Sequence, residues 1–208
     1  DFWTLLLYTG YLTIVPESLR LDETTNEDYV CELRIPNNEV KSCFRGRILN
    51  FFKSNPLMQN YTTELVKGLF SGNAESVEEN INHLLKKYVS IRDLASSAPK
   101  ENFYQGLMIG ALANASVEID EMQSNMESGD GYADLKLSAR DGTMVVIELK
   151  QNSDKKASRT ISAEKAIKQI IDKRYVVSEI ENPDIKKIYA FGICFCRKQC
   201  SVVMKQLQ

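Results

Sequence analysis

Residues 132–150 constrain this chain more than any other stretch. Tyr132–Ala139 and Thr143–Lys150 both have strand composition, and Arg140-Asp141-Gly142 lies between them. Asp-Gly between two such segments is a strong hairpin signal, because tight hairpin turns need residues that accept positive φ. Val145, Val146 and Ile147 form a β-branched run, the pattern of a strand buried on both faces. The turn is centred near 141, so Asp134 and Glu148, equidistant from it, pair near one another. Glu148 and Lys150 are two apart on a strand and share a face.

The flanking sequence divides into two parts, 1–90 and 91–208. The first is a mainly helical extension. Phe2 to Val15 is apolar and ends at Pro16, and residues 29–35 read as a strand stopped by Pro36-Asn37-Asn38. Helical spacing of apolar residues then predicts helices over Glu39–Lys53, Tyr61–Phe70 and Ser76–Tyr88, with Ser71-Gly72-Asn73 as a break. The second part reads as a helix over Lys100–Asn114, a strand at Ser116–Asp120, and a polar, glycine-bearing stretch from Ser124 to Gly131. The hairpin follows, then a polar loop at 151–160, a helix over Ser162–Tyr175, and strands at Ile188–Cys196 and Ser201–Met204.

Composition sets limits on partners. The 208 residues are 43% hydrophobic, enough for a sizeable core, and 26 basic against 28 acidic residues give a net charge of −2. That is no global nucleic-acid signature, although a cleft needs only local positive charge. No apolar run approaches the roughly 18 residues of a membrane helix. The N-terminal apolar stretch follows Asp1 rather than a basic segment, so a signal peptide is not expected. The absence of a starting Met is the expectation for a piece of a longer protein. Five cysteines, with Cys194, Cys196 and Cys200 close together and the only histidine, His83, far off, read as free thiols of a reducing, cytoplasmic compartment rather than a zinc site.

The chemistry resides in Asp134, Glu148 and Lys150. Two converging carboxylates repel unless a cation lies between them. Mg²⁺ or Mn²⁺ suits such hard oxygen ligands, and can polarise a phosphate and acidify a bound water. A lysine beside it can stabilise charge developing on the phosphate. An isolated Glu-x-Lys is usually a surface ion pair. Here it ends a buried apolar run, which solvation explains less easily. Lys150 itself, facing a wet site, is expected to add little to packing. Neither a Gly-rich phosphate loop nor a nucleophile–histidine pair is present.

From Glu101 to Tyr175 the chain resembles the PD-(D/E)XK nuclease superfamily, and most of all the branch found behind an AAA-ATPase-like domain. The resemblance rests on Phe103-Tyr104-Gln105-Gly106, Ser124-Asn125, Glu127-Ser128-Gly129-Asp130-Gly131, Asp134, Ile147-Glu148-Leu149-Lys150 and Ala166-Ile167-Lys168-Gln169-Ile170 up to Tyr175, in that order. Phe2 to Tyr11 and Leu33-Arg34-Ile35-Pro36-Asn37 resemble the linker region of the same branch. The chain departs from that branch with Gln105 in place of a usual His and Tyr132-Ala133 in place of Arg-aromatic.

The resemblance implies an α/β restriction-endonuclease-like core, a mixed central sheet flanked by helices. It implies a divalent-metal-dependent nuclease, acting on DNA more than RNA through the phosphate backbone. Asp134 and Glu148 would be metal ligands, Lys150 the catalytic lysine, Glu101 an auxiliary carboxylate, and Gln169 a contact to the site or the nucleic acid. Gln105, Ser124, Asn125, Lys173 and Tyr175 would face the substrate, although Tyr175 also falls on the helix's apolar stripe. The rival reading is a catalytically idle nuclease fold that binds a protein partner or inhibitor within a larger toxin or effector delivered into a host cell. Oligomeric state is left open.

Overall fold

A computed structural model describes residues 2–21, 29–43, 56–89, 100–114, 119–152 and 156–208. The chain forms two compact units, Asp1–Phe51 and Phe52–Gln208. In the first, helix α1 (Phe2–Tyr8) precedes two short antiparallel ladders. Strand β1 (Thr13–Ile14) pairs with β4 (Leu33–Arg34), and β2 (Arg20–Leu21) with β3 (Tyr29–Val30). The strand expected over 29–35 is thus two short strands. Residues 38–43 are helical (α2), capped by Asn37, whose side chain accepts the Val40 N–H at 2.9 Å. The rest of the predicted Glu39–Lys53 helix lies outside the described residues.

The second unit contains helices α3 (Pro56–Ser71), α4 (Ala74–Tyr88), α5 (Lys100–Asn114), α6 (Lys156–Asp172) and α7 (Val177–Ile180). Its strands are β5 (Glu121–Ser128), β6 (Gly131–Ser138), β7 (Thr143–Gln151), β8 (Lys187–Cys196) and β9 (Gln199–Gln206). They form one sheet in the order β5-β6-β7-β8-β9, antiparallel except for the parallel pair β7–β8. Parallel neighbours need a crossover, and α6 and α7 supply it. The predicted hairpin is β6–β7. Its loop is closed by the Ala139 N–H on the Thr143 carbonyl, and Asp141 Oδ1 accepts the Thr143 N–H at 2.9 Å. That bond holds the Asp141 carboxyl below its usual range.

Alternation along β6, β7 and β8 builds a core on each face. Leu135, Leu137, Val145, Ile147, Leu149, Phe191, Ile193 and Phe195 pack with apolar residues of α3, α4 and α5. Val146, Ile188 and Ala190 pack with Ile167 and Ile170 of α6 and with Tyr175 and Val176 beyond it. Helices α3 and α4, which sequence spacing grouped with the N-terminal part, therefore share the core of the second unit. α4 also protects edge strand β9: Glu78 Oε2 accepts the Val202 N–H and Asn82 Oδ1 accepts the Cys200 N–H, both of β9.

Some element bounds differ from the sequence reading. The polar stretch from Ser124 begins inside β5, which runs to Ser128; polar side chains on an edge strand carry little strand signal. Of Ser116–Asp120, residues 116–118 lie outside the described ones, and 119–120 precede the strand. The loop expected over 151–160 also gives way to α6, which begins at Lys156. Arg159 is buried, and its Nη2 donates to Gln199 Oε1 at 3.0 Å.

Gly192 marks where α6 meets the sheet. A Cβ there would lie 2.0 Å from the Ala163 carbonyl oxygen of α6. Gly192→Ala must push the helix off β8 and should cost on the order of 1–3 kcal/mol, lowering Tm by about 5 °C. A Cβ on Gly106 in α5 meets nothing within 4 Å. Gly106→Ala should therefore leave stability unchanged or raise it, by up to about 0.5–1 kcal/mol, with Tm unchanged or higher. Thermal melts of the two variants make the comparison, and equal Tm values would contradict it.

Candidate active site

Strand β6 leaves β7 at Asp134. The β6–β7 register runs from Ser138↔Met144 to Leu135↔Ile147, and its next step would set Asp134 against Glu148. Ladder pairing ends there. In its place Asp134 Oδ2 accepts the backbone N–H of Leu149 at 2.7 Å. The side-chain alternation also breaks at this point. Ala133 packs in the α6-side cluster, whereas Leu135, two residues on, packs on the opposite face. The two strands thus open with a carboxylate at the fork.

Glu148 is 3% exposed, and its Oε1 accepts from Lys150 Nζ at 2.7 Å. Both residues share the strand parity of Val146, so they lie on the sheet face that α6 covers. Lys150 is 29% exposed along its side chain, so it spans the buried carboxylate and solvent. Lys136, two residues from Asp134 and 7% exposed, forms an ion pair with Glu179 of α7. Sequence reading missed this pair, because nothing local links positions 136 and 179.

Four of the other residues singled out by the sequence form two hydrogen-bonded pairs. In one, Gln105 Nε2 on α5 donates to Asn125 Oδ1 at 2.9 Å and to the Asp134 carbonyl at 3.2 Å. Ser124 is exposed and stands opposite Leu135 in the β5–β6 ladder. In the other, Gln169 Nε2 on α6 donates to the Tyr175 hydroxyl at 3.2 Å. Tyr175 is 2% exposed and lies against Gly131, where a Cβ would approach its ring to 3.1 Å. It is a packing residue that also holds Gln169. The Lys173 side chain is exposed, and its carbonyl accepts the Asp130 N–H at 2.8 Å. Gly129 fits the same seam at φ +56, with its Cβ position 2.4 Å from the Lys173 and Arg174 carbonyl oxygens. The β5–β6 turn is therefore seated on the C-terminal end of α6. Glu101 stands in the first turn of α5; its side chain lies outside the described residues.

The donor set suits a hard cation. Asp134 and Glu148 offer carboxylate oxygens at one fork, and Mg²⁺ is commonly held by one or two carboxylates plus waters and substrate phosphates. No cluster of three or more His, Cys, Asp or Glu side chains occurs among the described residues. All five cysteines are free thiols, and no described helix is long and apolar enough to cross a membrane.

The profile of the PD-(D/E)XK nuclease superfamily matches residues 99–205, more than half of the chain. The chain belongs to that superfamily. Its five-stranded mixed sheet flanked by helices is consistent with the restriction-endonuclease-like fold. A search of curated proteins found no significant match.

The ion pair with buried Glu148 gives Lys150 a part in stability beyond its own packing. Lys150→Met removes the ammonium that pairs with a buried carboxylate. In metal-free buffer it should destabilise the protein by on the order of 2 kcal/mol, reduced from the usual buried-pair range because Lys150 keeps solvent contact. Glu148→Gln in the same chain should restore part of the loss. Urea melts of the single and double variants measure both, and an unaltered midpoint in Lys150→Met would contradict the pair's role.

Proposed function

We propose that the second unit is a divalent-metal-dependent nuclease that hydrolyses phosphodiester bonds, with DNA its substrate rather than RNA. The observation that carries this reading is the fork at Asp134. It brings one carboxylate to the strand end that bears the buried Glu148, with Lys150 two residues on along the same face. Membership of the PD-(D/E)XK superfamily supports nuclease chemistry in general.

In this reading Asp134 and Glu148 hold Mg²⁺ or Mn²⁺, with Glu101 as a further carboxylate. The ion, when bound, supplies Lewis-acid polarisation of the phosphate and an acidified water. Lys150 orients the attacking water or offsets charge growing on the phosphate oxygens in the transition state. Gln169, fixed by Tyr175, contributes an amide at the α6 side of the site. Lys173, exposed on the last turn beyond α6, serves the phosphate backbone as a solvated cation. In this reading residues 1–90 are the linker region behind an AAA-ATPase-like domain, and the chain works in a reducing compartment.

Plasmid nicking tests the reading. Activity should vanish in EDTA and return with Mg²⁺ or Mn²⁺. Lys150→Ala should lower turnover by about 10²–10³-fold or more, with nucleic-acid affinity changed little, since one charge among several is lost. Full activity in EDTA would sink the two-carboxylate reading. A folded Lys150→Ala that cleaves as well as the parent would leave the idle, protein-binding fold as the better account.

A further inference from the structure

We infer that Gln105 and Asn125 are positioning residues that lock the backbone of Asp134, rather than contacts to the substrate. The inference rests on the reading of Asp134 as a metal ligand, and begins from where that residue sits. The β5–β6 register steps from Ser124↔Leu135 to Met126↔Ala133. Asn125 stands between these pairs, opposite Asp134, with its backbone at φ +52. On the other side the β6–β7 register ends at Leu135↔Ile147. Asp134 thus falls at the gap of one ladder and the end of the other, where regular pairing fixes a backbone least.

Gln105 bridges that gap. Its amide nitrogen has two hydrogens, and it meets two acceptors, Asn125 Oδ1 at 2.9 Å and the Asp134 carbonyl at 3.2 Å. Both hydrogens are accounted for inside the protein, which leaves the amide nitrogen nothing to offer a phosphate. Asn125 suits its place, since asparagine accepts the left-handed backbone better than other non-glycine residues.

The donor is held firmly. The preceding residue, Tyr104, is buried and stacks on Phe195 with ring centroids 4.4 Å apart. Its hydroxyl donates to the Arg197 carbonyl at 2.9 Å. Burial pushes its pKa up to about 12, so the hydroxyl keeps its proton. α5 is therefore pinned to β8 one residue before Gln105. Gln105 then fixes the Asp134 main chain, and the Leu149 N–H fixes one oxygen of its carboxylate. Together they hold the Asp134 main chain and one oxygen of its carboxylate.

Amide exchange followed residue by residue, in metal-free protein, tests the lock directly. The reporter is Leu149, whose N–H is held by Asp134. Val145 and Ile147, which pair with Leu137 and Leu135, serve as internal references. In Gln105→Leu the Leu149 amide should exchange roughly fivefold faster or more, with the references unchanged. Mn²⁺ affinity by calorimetry should fall about tenfold or more, as for other groups that support metal ligands. Affinity for a DNA duplex in Ca²⁺ should stay within about twofold, so turnover falls without loss of binding. Asn125→Gly keeps the left-handed backbone and removes one acceptor; it should move the same readouts in the same direction by less, and replaces Gln105→Leu if that variant does not fold. Unchanged Leu149 exchange in a folded variant would overturn the inference. So would equal acceleration of all three amides, which marks a purely structural role, or loss of DNA affinity with Leu149 unaffected, which marks a substrate contact. If Leu149 responds but the parent binds no Mn²⁺, the lock stands and the metal reading falls.

Discussion

A hydrogen bond from the backbone of Leu149 to the carboxylate of Asp134 is the contact on which the rest of this site depends. It forms where two antiparallel strands part, and it replaces the ladder bond that would otherwise continue the pairing. A buried backbone N–H needs a partner, and here an acidic side chain supplies it. The strands can therefore separate without stranding a donor, and the separation leaves an acidic group at the mouth of the fork.

The fork can open only because the sheet around it is closed on both faces. The core beneath α3, α4 and α5 and the smaller one beneath α6 hold β7 and β8 from either side. Glu148 is a buried charge in a strand buried largely with apolar residues, and it is accommodated by Lys150. Burial of a charge is costly unless it is paired. The sheet thus invests stability in holding a carboxylate and an ammonium close together at a single strand end. Close approach of α6 to Gly192 and seating of the β5–β6 turn on the end of α6 keep the second face of the site in register with the first.

Much of this was legible in the sequence. The Asp141-Gly142 turn and the β-branched run fixed the hairpin and set the pairing of 134 near 148, because a hairpin register follows from its turn. Helical spacing placed α4 and most of α6 for a similar reason, since their apolar stripes face a core; α5 matched its expected bounds without such a stripe. β5 was missed because its composition is mostly polar, as an edge strand allows, and Met122 alone gives little sign of the core it packs against. The start of α6 was missed because Lys156-Ala157-Ser158-Arg159 looks solvated, and the burial of Arg159 beside Gln199 depends on a strand 40 residues away. Gln105 was visible as a polar residue on α5, but its partners lie 20 and 29 residues on, and no local pattern announces a bond to a backbone carbonyl. The pairing of Lys136 with Glu179 was hidden in the same way.

The central claim is that Asp134 and Glu148 converge on a single cation. Anomalous scattering from crystals of the full chain grown with Mn²⁺ tests it most directly. The account predicts a manganese peak bound by carboxylate oxygens of both Asp134 and Glu148, at roughly the 2.0–2.2 Å expected for small divalent ions on oxygen, and loss of that peak in Glu148→Gln. A peak elsewhere on the chain, or density at the fork with no manganese signal at saturating metal, would contradict it.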